Sequence, residues 1–182
     1  MEEYSDKELL DKFRVESSRS YAFNLIVKKY QKRLYSHIRR IIIDHDDTSD
    51  VLQNVFIKMW KNLLGFKEDS QLFTWLYRIA TNESLTFLKK KRTKFFIPLV
   101  DVEYQLSKTL EDDSYFKGDE IQLKLQKAIL RLPEKQRIVF NMKYFEEIKY
   151  EEMSLILGTS VGALKASYHH AVKKIEQFVL AN

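Results

Sequence analysis

The chain has 182 residues, 45% hydrophobic and 13% aromatic, with only four glycines and two prolines. That is enough apolar material for one domain or two small ones, with little provision for long loops or tight hairpins. There is no cysteine, which excludes disulfide frameworks, thiolate metal sites and cysteine nucleophiles; the net charge of +5 is modest, so its distribution matters more than its sum.

The first six residues are acidic and polar, unlike a signal peptide, and no run approaches the roughly 18 apolar residues of a membrane span. A cytoplasmic location is the expectation. Ser5, Asp6, Lys7 and Glu8 form a capping-box pattern that predicts a short first helix. Over residues 21–40, Phe23, Ile26, Val27, Tyr30, Leu34, Ile38 and Ile41 recur at helical spacing. The polar side of this second helix is basic, with Lys28, Lys29, Lys32, Arg33, Arg39 and Arg40. Asp44, His45, Asp46 and Asp47 interrupt it, and acids here suit the positive N-terminus of the helix that follows.

That third helix is predicted over residues 48–64, ending near Gly65. Val51, Leu52, Val55, Phe56, Met59 and Leu63 make its apolar stripe, and Asp50, Gln53, Asn54 and Ile57 lie on the opposite face. A loop follows over 65–71, then a helix over 73–92, expected to be buried through Phe73, Leu76, Tyr77, Ala80, Phe87 and Leu88. Away from that stripe stand Trp75, Arg78, Asn82 and Lys89, at i, i+3, i+7 and i+14. An indole beside Arg, Asn and Lys suits unstacked bases along a phosphate backbone. The plainer alternative packs Trp75 on the preceding helix. The segment closes on Lys89, Lys90, Lys91 and Arg92, which either meet phosphates or answer the helix dipole.

Residues 93–117 lose the helical pattern, contain Pro98 and turn acidic, as a linker between two helical domains would. Helical spacing returns through Leu123, Leu125, Ile129 and Leu132, and Pro133 suits the first turn of the next helix. A helix over 150–157, then Gly158, Thr159 and Ser160, then a helix from Val161, has the layout of a helix-turn-helix. In the last helix Val161, Leu164, Tyr168, Ala171, Ile175 and Phe178 share one face. At about 100° per residue, Gly162, Ala163, Ala166, His169, His170 and Lys173 fall on the other. Small residues there let the backbone approach a groove, Lys165 and Lys173 can reach phosphates, and Ser160 is a good N-cap. The alternative is a helical hairpin with a solvated basic face. His169 and His170 point about 100° apart and suit no shared metal ion; neither a metal nor a cofactor is expected.

Four of these strings, in this order and spacing, resemble the sigma-70 family of bacterial RNA polymerase sigma factors, and among them the two-domain extracytoplasmic-function (ECF) group. Residues 23–35 look like the start of the promoter-melting domain, 50–56 like the polymerase-docking helix and 73–82 like the minus-ten reading helix. Leu132, Pro133, Glu134, Lys135, Gln136 and Arg137, with Tyr150, Glu151, Glu152 and 157–162, look like the minus-thirty-five domain. The resemblance implies an all-α fold of two small helical domains joined by an extended linker: region 2 over 1–92, a linker over 93–117 and region 4 over 118–182. It implies that Asp50, Gln53, Asn54, Phe56 and Ile57 bind the β′ clamp coiled coil of core RNA polymerase, with the β flap as a second contact. Trp75, Arg78, Asn82, Lys89, Lys90 and Arg92 would then bind and separate the minus-ten element, with the 65–72 loop holding a flipped base. Ser160, Val161, Lys165, Ser167, His169, His170 and Lys173 would read the minus-thirty-five duplex. An anti-sigma factor is a further implied partner. Ser167 and His170 stand where the family often has Arg, Thr86 where it often has Asp, and Lys149 where a Ser cap is usual.

Two other classes compete. A stand-alone regulator would use the helix-turn-helix on an operator, yet it needs neither the 50–56 nor the 75–82 motif. An enzyme would need a nucleophile, a glycine-rich phosphate loop or a His/carboxylate constellation, and the sequence offers none that convinces.

Overall fold

The computed structural model describes residues 4–95 and 120–181, and every regular element among them is helical. The chain runs α1 (Asp6–Arg14), α2 (Arg19–Ile42), α3 (His45–Asn62) and α4 (Leu72–Phe95), then α5 (Glu120–Leu130), α6 (Glu134–Tyr144), α7 (Tyr150–Leu157) and α8 (Val161–Ala181). Local chemistry sets the boundaries. The Ser5 hydroxyl accepts from the Glu8 amide at 3.3 Å while the Glu8 carboxylate accepts from the Ser5 amide at 2.8 Å, closing the expected capping box. The Asp44 carboxylate accepts from the Asp47 amide at 2.9 Å, so the acidic interruption acts as the N-cap of α3. Pro133 stands one residue outside α6, at the cap position rather than in the first turn. Helix α4 runs to Phe95, about one turn past its expected end at Arg92; the rest of the expected linker lies outside the described residues.

In the N-terminal half, α1 to α4 bury Leu9, Phe13, Ile26, Leu34, Ile38, Val55, Met59, Leu76 and Ala80 in one core. Leu52, Phe56, Phe73, Phe87 and Leu88 pack on its margin, half-buried rather than enclosed. In the C-terminal half, a second core joins Ala128, Ile129, Leu132, Phe140, Ala171 and Ile175. The first core does not stop at the half it belongs to. Ile138, Val139, Met142, Met153, Ile156 and Leu164 are continuous with it, so the two halves pack directly. At the α2–α3 corner, Ile43 has φ 70°, a conformation costly for a β-branched residue, and its buried side chain meets Leu130 of α5. The packing changes the basic side of α2: Arg39 is fully buried and Arg40 lies 3.9 Å from the Phe145 ring centroid, whereas Lys28, Lys29, Lys32 and Arg33 remain exposed.

Candidate nucleic-acid and polymerase interfaces

The outward face of α3 carries Asp50, Gln53, Asn54 and Ile57, all exposed, with Phe56 half-buried at its edge. Val51, Val55, Met59 and Leu63 anchor the opposite side in the core, which fixes this orientation. The structure adds two residues that the sequence reading left out. Trp60 is 41% exposed and Leu64 52%, and with Ile57 at 46% they extend the apolar part of the face. Their spacing of three and seven residues from Ile57 was a usable signal. Trp60 is held edge-on against Phe13 and Phe23, with ring centroids 5.5 and 4.9 Å away. A rigid aromatic beside exposed aliphatics and a polar margin is the make-up of a protein-docking patch.

On α4, Leu76, Tyr77, Thr81 and Ser84 face inward, and Asn82, Lys89 and Lys90 face outward. Trp75 is half-buried and packs on Phe66 from the loop after α3, at 5.3 Å between centroids. That loop is pinned from outside by an ion pair between Glu68 and Arg14. Lys91 pairs with Asp47 near the start of α3, which takes it out of the basic cluster. The Arg92 side chain lies outside the described residues. Arg78 is not poised toward solvent alone: its Nε and Nη2 donate to the Leu155 carbonyl of α7 at 3.0 and 2.6 Å.

The C-terminal half contains the expected helix-turn-helix. Gly158 caps α7 in the left-handed conformation, φ 61° and ψ 34°, and its amide donates to the Ser154 carbonyl at 2.9 Å. The Ser160 hydroxyl accepts from the Ala163 amide at 3.3 Å, as an N-cap should. At the start of α7 the lysine side chain supplies no acceptor. There the Glu152 carboxylate accepts from the Lys149 amide at 3.4 Å, which is half of a capping box. Leu164, Ala171 and Ile175 bury the inner face of α8, and Tyr168 stacks on Phe140 of α6 at 5.7 Å. This orients Ser160, Gly162, Ala163, Lys165, Ala166, His169, His170 and Lys173 to solvent, with Val161 and Ser167 half-buried at the flank. The Lys165 ammonium sits 5.8 Å from the Tyr150 ring centroid, so α7 steadies it at the rim of the exposed face.

Comparison with known proteins agrees with both halves. The Sigma-70 region 2 model matches residues 26–94, and the Sigma-70, region 4 model matches residues 122–175. The RNA polymerase sigma-H factor of Pseudomonas aeruginosa is 30% identical, over 94% of this chain and 92% of its own length. The ECF RNA polymerase sigma-E factor of Escherichia coli K12 is 29% identical, over 98% of this chain and 96% of its own. In fold, the chain is similar to CnrH in complex with the cytosolic domain of CnrY, with a TM-score of 0.71 and 21% identity over 97% of this chain and 98% of that one. The sigma factor RpoE in complex with the anti-sigma factor NepR, from Bartonella quintana, gives 0.67 and 18% over 88% and 98%. With both helical units, their order and a full-length relative in agreement, the chain belongs to the sigma-70 family of RNA polymerase sigma factors, in its extracytoplasmic-function group.

Proposed function

We propose a division of labour for these surfaces. As a sigma factor, the chain binds core RNA polymerase and directs it to promoters. In our reading, Asp50, Gln53, Asn54, Phe56 and Ile57, extended by Trp60 and Leu64, dock on the β′ clamp coiled coil, and the C-terminal unit meets the β flap. Trp75, Arg78, Asn82, Lys89, Lys90 and Arg92 bind the minus-ten element, where the indole offers a stacking surface for an unpaired base and the cations track phosphates. Ser160, Val161, Lys165, Ser167, His169, His170 and Lys173 read the minus-thirty-five duplex. The domain assignment follows: region 2 over 1–92, a linker over 93–117 and region 4 over 118–182.

The chain supplies no bond-making chemistry in this scheme. Its work is binding free energy that favours separated strands over paired ones, while catalysis belongs to the polymerase. The setting is the cytoplasm, where polymerase and promoter meet, and no helix of the described residues is long and apolar enough to cross a membrane. An anti-sigma factor is proposed as a regulator by analogy with the sigma factor RpoE of Bartonella quintana, whose structure is a complex with the anti-sigma factor NepR.

The observation that carries this reading is the solvent-facing row on α8 behind a capped, glycine-terminated turn, on the same chain as the exposed Ile57 face. Run-off transcription with core polymerase tests it. Adding the chain should yield discrete transcripts that core alone does not make, and Ile57→Asp should abolish them. Identical products with and without the chain would refute the proposal.

A further inference from the structure

The loop between α3 and α4 holds a backbone conformation that its own residues do not favour. Its ends are anchored. Phe66 is buried against Trp75 of α4, its amide donates to the Leu63 carbonyl at 3.2 Å, and Leu72 is buried at the start of α4. Between these anchors Lys67, Glu68, Asp69 and Gln71 are exposed and Ser70 is half-buried. Residues 67–70 form no backbone–backbone hydrogen bond with another described residue. Glu68 nevertheless adopts φ 59°, in the left-handed region where a side chain crowds its own backbone. Such a conformation persists only where the surroundings over-determine it.

The constraint comes from α1. Arg14, the last residue of that helix, turns its two terminal nitrogens to different partners: Nη1 donates to Asp11 Oδ1 at 3.0 Å and Nη2 donates to Glu68 Oε1. Asp11 lies one turn back on the same helix, so it aims the guanidinium. The neighbouring Phe13 is buried and meets Trp60 edge-on at 5.5 Å, which fixes the end of α1 against α3. A planar guanidinium aimed by one carboxylate loses little freedom when it bonds a second. An exposed pair of this kind adds little to global stability. Its leverage is local, because it grips the middle of a short stretch whose backbone is unbonded.

The place of the loop gives that grip a use. Phe66 supports Trp75, the indole proposed to stack on an unpaired base, and Lys67, Asp69 and Ser70 stand on the same short segment. Stacking accepts any base. Hydrogen-bonding side chains beside the stack tell one base from another only while they keep a fixed place.

We propose that Arg14 is a specificity-determining positioning residue: by bonding Glu68 it holds the 65–71 loop in the conformation that discriminates the unpaired base beside Trp75. This deepens the sigma-factor reading and rests on it. Arg14 touches no nucleic acid in this scheme; it acts through Glu68, and α1 takes part in minus-ten selection as well as in packing.

Two measurements test it. Nitrogen-15 relaxation of the free chain reads the grip: order parameters for amides 67–70 should be about 0.8 in the unaltered chain and below about 0.6 in Arg14→Ala, with the helices unchanged. Run-off transcription with core polymerase, on a promoter library randomised across the minus-ten element, reads the consequence. Arg14→Ala should lower base discrimination about two- to fivefold at one position and leave the other positions as they were. Glu68→Gly removes the carboxylate and the backbone strain together. It should flatten the same position, and Arg14→Ala should add nothing in that background. Equal order parameters in the two chains, an unaltered base profile, a loss spread evenly over the element, or a further loss in the Glu68→Gly background would overturn the proposal. No promoter-directed transcript from the unaltered chain would instead sink the sigma-factor reading, and the relaxation data would still judge the grip of Arg14 on the loop.

Discussion

Helices α4 and α8 carry similar side chains on their proposed DNA faces and stand in different states. On α8 the row from Ser160 to Lys173 is open to water along its length, held by a core of Leu164, Ala171 and Ile175. On α4, Trp75 leans on Phe66, Arg78 is bonded to α7, and Thr81 bonds His37, the partner of Glu146. A duplex presents its grooves ready-made, so its reader gains from rigidity and needs no cover. Unpaired bases exist only after strands separate, so their reader can be kept engaged elsewhere until then. In this structure the proposed face of α8 is open to water, and the proposed face of α4 is partly engaged by the neighbouring unit.

Substitutions can break this contrast or sharpen it. The largest expected effect is on assembly. Ile57→Asp puts a charge in the middle of the apolar docking patch and should weaken core polymerase binding by at least about thirtyfold, a hot-spot-sized loss, with the fold intact. Titration of labelled chain into core measures it, and an unchanged affinity would remove the reason for assigning that face. Next comes the support of the α4 face. Leu76→Ala, at a fully buried position, should cost about 2–5 kcal/mol in urea unfolding. A loss below about 1 kcal/mol would mean that α4 is not anchored as described.

Much of this was legible in the sequence, for local reasons. Ser5 and Glu8, Asp44, and Gly158 with Ser160 mark helix ends through side-chain and backbone preferences that act within four residues. The periodicity of α3 and α8 then oriented Ile57 and the α8 row correctly. What stayed hidden was nonlocal. His37 and Glu146 are 109 residues apart and each sits in ordinary helical or turn sequence, so nothing marked them as partners. Arg39 and Arg40 looked like part of a solvated basic side because periodicity cannot show that a second unit covers the last turn of α2. Lys91 looked free for phosphate until the fold brought Asp47 to it. Trp60 and Leu64 stand at visible spacings from Ile57, but a large apolar residue on an amphipathic helix reads by default as core, and only the fold shows them 41% and 52% exposed.

Two smaller effects bear on the readers themselves. Trp75→Ala should lower affinity for single-stranded minus-ten oligonucleotide by about 1–3 kcal/mol, the usual worth of one base–aromatic stack, and leave duplex binding alone. Equal losses on both substrates would place Trp75 in the fold rather than at the bases. Lys165→Ala is the mildest. It should weaken duplex binding uniformly across sequences and reduce the salt dependence by about one unit at most. A loss confined to one promoter position would instead make Lys165 a base reader.

The most direct test of the divided roles is paired footprinting of one promoter complex, with nuclease protection reporting duplex contact and permanganate reporting unpaired thymines. With core polymerase and the unaltered chain, protection should cover the minus-thirty-five element and reactive thymines should appear at minus ten. Asn82→Ala should lose most of the thymine reactivity and keep the upstream protection. If both signals vanish together, or neither changes, then the two helices do not divide duplex reading from strand opening.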